Sequence, residues 1–261
     1  MMRWRPFLLI VCVSILIVIG TALANQRHQE ARLLRVATAP DYCPYEFIES
    51  HNGVNHLMGF DIDLAKAIST ELNTPLHFDL MPFNELLLAL RSEDADLAIA
   101  ALTPTDERKK VVSFSRVYHE VKSLIVSTAD MEIEDVSDLS GRLIGVRPGT
   151  IHDRLAATVP DGERVFFDST STLLRAVTSK EIDAAILDAA IARHYLRRRW
   201  KVNTLALDNE APSGVAIGLP KRSPLLGSVN QVLRHMRANG TLEELELKWF
   251  DEYVCPREEA A

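Results

Sequence analysis

The stretch Asp96-Leu97-Ala98-Ile99-Ala100-Ala101-Leu102-Thr103-Pro104-Thr105-Asp106-Glu107-Arg108 constrains the fold more than any other part of the chain. An apolar run of strand length enters from a charged turn, passes through a hydroxyl-bearing loop and meets a helix start. Thr105 suits an N-cap, and Asp106 and Glu107 put negative charge in the first helical turn, where the helix dipole favours it. A buried strand running straight into a helix fits an open α/β sheet, in which ligands bind beyond the carboxyl ends of the strands. Arg108 then stands where its planar fork can hold a carboxylate through two parallel hydrogen bonds. The competing reading leaves Arg108 on a solvated face, paired with Asp106 or Glu107.

Residues 1–24 stand apart from the rest. Arg3 and Arg5 form a positive n-region, Phe7 to Ile19 an apolar h-region and Ala22-Leu23-Ala24 a small-residue cleavage site, the build of a secretory signal peptide. An uncleaved anchor is the alternative, since the apolar run nearly reaches bilayer-spanning length. The polar Asn25-Gln26-Arg27 that follows favours cleavage. Cleavage leaves 27 basic against 36 acidic side chains, a balance of −9. That charge, with no dense Lys/Arg block, argues against a nucleic-acid partner. Arg197-Arg198-Arg199 reads instead as a helix C-terminus, where cations are favoured.

Cys12 falls in the h-region, without small residues ahead of it of the kind a lipoprotein site uses. Cys43 and Cys255 enter an oxidising compartment. Whether they pair is left open, because their separation in space is not written in the sequence. No Cys or His partners stand at ligand spacing, so no metal and no cofactor is expected.

After the leader, strand and helix patterns alternate. Leu33 to Ala37 is a first strand, followed by a loop in which two prolines, Asp41 and Tyr42 make a fixed turn. Asp61 is expected to cap a helix bearing Leu64, Ile68 and Leu72, and Leu76, Phe78 and Leu80 alternate as a strand. Asn84 is expected to cap Glu85 to Arg91, with Phe83 either a hydrophobic staple or a pocket wall. Lys122 to Ser127 is extended and reads as a crossing into a second lobe. There Leu143–Val146, Arg164–Phe167 and Ile182–Leu187 are strands, with helices from Gly149-Thr150, after Ser169 and over Ala189–Arg198. Gly214 to Leu219 reads as the return, and Thr241-x-x-Glu244 as a capping box after Gly240. The expected architecture is α/β, with two lobes, each a mostly parallel sheet with flanking helices. Lobe 1 is discontinuous, 33–122 with 217–255, and lobe 2 is 123–216, joined by two hinge crossings.

Four polar residues fall just past expected strand ends: Thr103 and Arg108 in lobe 1, Thr150 and Asp188 in lobe 2. A free α-amino acid carries a carboxylate and an ammonium. Arg108, the Thr103 hydroxyl and helix-start amides near Thr150 suit the first. Asp188, an acceptor-only carboxylate, suits the second, and equally suits an N-cap of the helix from Ala189. Bringing them together requires the lobes to close about a hinge.

These motifs carry a resemblance. Thr103-x-Thr105-x-x-Arg108, Phe114-Ser115-x-x-Tyr118, Gly59-Phe60-Asp61-Ile62-Asp63-Leu64, Gly149-Thr150 and Asn239-Gly240-Thr241-x7-Lys248-Trp249-Phe250 look like the signature of family 3 extracellular solute-binding proteins, from about Leu33 to Phe250. The resemblance implies the type II periplasmic binding protein fold and a periplasmic, monomeric receptor. It would deliver a polar amino acid to the membrane permease of an ABC importer. It implies Arg108 and Thr103 on the ligand carboxylate, with Ala101 assisting through its backbone and Thr150 from lobe 2. Asp188 then takes the ammonium, and Tyr42 and Phe83 wall the side chain. Where members taking basic or amide side chains often carry Asp, this chain has Ala39, with Asp41 the available substitute. Arg147 corresponds to a position that can face the ligand side chain. There it would favour an acidic or carbonyl-bearing group, or else lie solvated at the surface.

Catalysis is not expected. The chain has no G-x-S-x-G, H-E-x-x-H, Walker loop or G-x-G-x-x-G. His119 and His152 lie near the expected cleft, but a lone His there is more often a surface or capping residue. The enzymatic alternative on the same fold is a cyclohexadienyl (prephenate or arogenate) dehydratase. That reaction requires a proton donor at the leaving group, and none is identifiable.

Overall fold

In the computed structural model, residues 33–196, 201–207 and 214–255 are described. The leader, 1–24, and Arg197-Arg198-Arg199 lie outside them. From β1 (Leu34–Thr38) the chain forms a small antiparallel sheet of β2 (Asp41–Tyr42), β3 (Glu46–His51) and β4 (Val54–Met58). Then come α1 (Phe60–Glu71), β5 (Leu76–Leu80), a 3₁₀ turn over Phe83–Glu85, α2 (Leu86–Arg91), β6 (Leu97–Ala98), α3 (Asp106–Val111) and β7 (Ser113–His119). The second half of the fold holds β8 (Ser123–Thr128), β9 (Leu143–Val146), α4 (Ile151–Ala156), β10 (Glu163–Phe166), α5 (Thr170–Thr178), β11 (Ala184–Asp188), α6 (Ala189–Leu196) and β12 (Val202–Ala206). β13 (Val215–Leu219), α7 (Leu225–Ala238), α8 (Thr241–Glu246) and a π-helical turn over Leu247–Glu252 complete it.

Two five-stranded sheets result, in the orders β5-β1-β6-β13-β7 and β10-β9-β11-β8-β12. The chain passes from the first to the second between β7 and β8 and is back in the first at β13. Val36 and Leu97 pack into one apolar cluster and their neighbours Ala37 and Ala98 into another, so this sheet is buried on both faces. The parallel share is smaller than strand–helix alternation suggests. β1 pairs in parallel with β5 and β6, and β9 with β10 and β11. The remaining pairings are antiparallel, because β8 and β13, each the first strand after a crossing, run against the other strands of their sheets.

Three expected caps are corrected. The N-cap residue of α1 is Gly59, not Asp61, and the first amides of the helix are taken by backbone carbonyls: Phe60 N–H donates to Pro44 O at 2.9 Å and Asp61 N–H to Tyr45 O at 2.8 Å. This close approach demands glycine, since a Cβ at residue 59 would lie 2.2 Å from Tyr45 O and φ there is +131°. Asp61, released from capping, turns inward and is fully buried. Asn84 sits inside the 3₁₀ turn, and α2 begins without a side-chain cap. Thr241 is the first residue of α8, capped by the backbone of Gly240 in the left-handed region rather than by a Thr–Glu box. Thr105, by contrast, does cap α3, accepting from Arg108 N–H at 3.3 Å.

Cys43 and Cys255 form a disulfide across 212 residues, with Cα atoms 6.0 Å apart. It fastens the loop bearing Tyr42 to the segment after the π-helical turn, where Trp249 and Tyr253 pack on the Phe47 ring.

Candidate functional site

Arg108 lies in the first turn of α3 and is that helix's buried residue. The residue is 8 % exposed, with its Cζ 5.4 Å from the centre of the Phe83 ring. One Nη donates to Thr103 O at 3.0 Å and the other crosses to the second sheet's half, donating to Gly149 O at 3.1 Å. These use two of five N–H donors. Burial, helped by nearby Arg154, lowers its pKa to about 10, so it stays a cation at neutral pH. It does not pair with Asp106 or Glu107; Glu107 instead meets Arg154 of α4 at 2.9 Å.

Beside it, Ala101 adopts a left-handed backbone, φ +45°, and donates its amide to Asp61 at 2.7 Å. A backbone contact from residue 101 to a ligand therefore falls to its carbonyl. Asp61 also accepts from Tyr118 OH at 2.9 Å, and burial raises its pKa to about 6. Glu46 lies against it, fully buried, and burial next to Asp61 holds its carboxyl protonated well above the usual range.

From the second sheet, Thr150 caps α4, accepting from Asp153 N–H at 3.2 Å and donating to Arg147 O at 2.8 Å. Asp188 ends β11 and is 3 % exposed. Its Oδ1 caps α6, accepting from Ala190 N–H at 2.7 Å; its Oδ2 faces Tyr45 OH at 3.5 Å. Burial raises its pKa to about 6. The cap and an ammonium contact are thus compatible, each using one oxygen. Tyr42 stacks on Tyr45, ring centres 5.7 Å apart, and the Arg147 guanidinium lies 5.2 Å over the Tyr42 ring while pairing with Asp41.

All eight residues singled out from the sequence, Arg108, Thr103, Ala101, Asp188, Thr150, Tyr42, Phe83 and Arg147, line one cavity of about 500 Å³ between the two sheets. Ala39 is in the apolar core instead. Glu46 and His152 also line the cavity, and burial lowers the pKa of His152 to about 4, which keeps it neutral. His119 is close by but not among the lining residues: it meets the Tyr45 ring edge-on at 5.8 Å, stacks on Phe250 at 4.4 Å and bonds Glu246. Sequence reasoning missed Glu46. Its signal was a carboxylate between two aromatics, Tyr45 and Phe47, in a run otherwise reading as strand.

A cavity with a fixed cation on one wall and a buried carboxyl on another can hold a zwitterion. Comparisons with known proteins agree with that chemistry. Residues 34–252 match the family described as bacterial extracellular solute-binding proteins, family 3. The arginine-binding extracellular protein ArtP of Bacillus subtilis is 32 % identical over 96 % of this chain and 98 % of its own. The histidine-binding periplasmic protein of Salmonella typhimurium is 30 % identical over 84 % and 87 %. Among solved structures, an ancestral arginine-binding protein bound to arginine is 33 % identical, with a TM-score of 0.76 over 85 % of this chain and all of that one.

Proposed function

Because the chain belongs to the family 3 bacterial extracellular solute-binding proteins, we propose that it is a periplasmic receptor for an L-α-amino acid with a polar side chain. It delivers that ligand to the permease of an ABC importer and catalyses nothing. The observation that carries the reading is that Arg108 and Asp188 line one cavity. Arg108 takes the α-carboxylate with its remaining donors, joined by the Thr103 hydroxyl. The second oxygen of Asp188, which also accepts a long bond from Tyr45 OH, takes the α-ammonium, and Tyr42 and Phe83 flank the side chain. The Arg108 bond to Gly149 and the Glu107–Arg154 pair tie the halves together, so ligand, hinge and closure are coupled. The leader read in residues 1–24 and the relatives' names support the compartment.

The test is a thermal-shift screen across the amino acids, since a bound ligand stabilises by mass action. Hits are then titrated by calorimetry together with their α-deaminated analogues. Asp188→Asn should weaken the amino acid far more than the analogue; equal losses for both would sink the ammonium role. Incubation with prephenate or arogenate should yield no aromatic product, whereas turnover would restore the dehydratase alternative.

A further inference from the structure

His152 is a buried titratable group that the carboxylate and ammonium contacts above leave unused. It is the second residue of α4, 9 % exposed, and lines the interlobe cavity. Among the described residues, no hydrogen bond, ion pair or ring contact reaches its imidazole. The unpartnered side-chain atoms sealed inside the protein are Glu46 Oε2 and Arg147 Nε, and neither nitrogen of His152 is with them. Those nitrogens are therefore unmet and yet accessible, at the wall of the cavity. Native interiors rarely leave a buried polar side chain without a partner. Burial also keeps the ring neutral, with a pKa of about 4, so it offers one N–H donor and one acceptor.

The start of α4 is held against Arg108, whose guanidinium donates to Gly149 O at 3.1 Å. Helical side chains tilt toward the N-terminus of their helix, so the ring of residue 152 reaches back toward that turn. The other polar groups of the turn are spent. The Thr150 hydroxyl donates its single proton to Arg147 O at 2.8 Å and accepts from Asp153 N–H at 3.2 Å, while Gly149 N–H goes to Asp153 Oδ2 at 2.9 Å. Thr150 has no proton left for a ligand, and His152 is the side chain here with a free one.

We propose that His152 is a ligand-binding residue: on the receptor reading above, its uncharged imidazole N–H donates to the α-carboxylate from the second half, in the place the sequence gives to Thr150. The carboxylate is then gripped from both halves, by Arg108 and Thr103 on one side and His152 on the other, so the last bond forms as the halves close. An uncharged donor adds that bond without a second cation, leaving Arg108 and the carboxylate matched one to one. A site built to hydrogen-bond a polar group discriminates strongly against analogues that lack it.

Calorimetry tests this with whichever of the twenty standard L-amino acids raises the Tm most, and with its amino alcohol. His152→Leu, which keeps apolar bulk in α4, should weaken the amino acid tenfold or more and the alcohol less than threefold. His152→Gln, which restores an N–H donor of similar reach, should bind the amino acid at least threefold tighter than His152→Leu does. His152→Leu within threefold of wild type, or equal losses for acid and alcohol, would overturn the proposal. In wild-type protein labelled with ¹⁵N-histidine, the His152 imidazole resonance, assigned by its absence from His152→Gln, should move on saturation with the amino acid. An unmoved resonance would overturn the proposal too. These outcomes leave the receptor reading intact, whereas a protein that binds none of the twenty fails that reading itself.

Discussion

Arg108→Ala is the most informative single change, because the structure fixes what is lost. The guanidinium is buried, holds two carbonyls with two of its donors and lies against Phe83, so a ligand carboxylate meeting it is desolvated. Removing one partner of a buried, hydrogen-bonded charge pair costs about 2–5 kcal/mol, mostly from the charge left unpaired. At about 1.4 kcal/mol per decade, affinity should fall from ~30-fold to several thousandfold. Arg108→Lys separates charge from geometry. It keeps the cation but loses the fork, and each lost charge-assisted bond is worth about 1.5–3 kcal/mol, so it should fall between wild type and alanine. The assay is calorimetric titration at pH 7.5, with ligand-free melting as a check that each variant is folded. A ligand lacking the carboxylate, such as the corresponding amino alcohol, completes a cycle. It should bind wild type poorly and Arg108→Ala no worse. Additive losses, or alanine within threefold of wild type, would refute the placement of the carboxylate.

Affinity should also fall as pH drops. Asp188 has its free-state pKa raised to about 6 by burial, and a bound ammonium favours the anion, so binding below that pH must expel a proton. Titrations should show binding ~10-fold weaker at pH 5 than at pH 7.5. Asp188→Asn should abolish that slope, and an unchanged slope would assign it to another group. His152, with its pKa at about 4, stays neutral through this window. Opening the Cys43–Cys255 disulfide releases a loop spanning 212 residues, whose closure entropy sets an upper limit of ~5 kcal/mol on the loss of stability. Denaturant melts of Cys43→Ser should fall well below wild type, and an unshifted midpoint would refute the tie's structural role.

What the sequence disclosed follows from the range of the interactions. Thr105 capping α3 and Arg108 one turn in are decided within four residues, and both stand as read. The β3–β4 hairpin had its own local signal, Asn52-Gly53 with φ of +54° and +79°, the positive pair of a type I′ turn, and it was overlooked. Asp61 misled because an acid two residues into a helix looks like a cap. Only the contact of Gly59 with Tyr45, set by chain packing, turns it inward to hold Ala101. Arg147 stayed ambiguous for the same reason, since its partners, Asp41 and Tyr42, lie more than a hundred residues away in the other half. Local rules place polar groups at strand ends, but sheet order decides which ends face one another. That the ends of β6, β9 and β11 open onto one cavity depends on two crossings between two sheets, and no short-range pattern encodes that. Placement past expected strand ends had already set Arg108 and Asp188 together, and the resemblance added only the role of each.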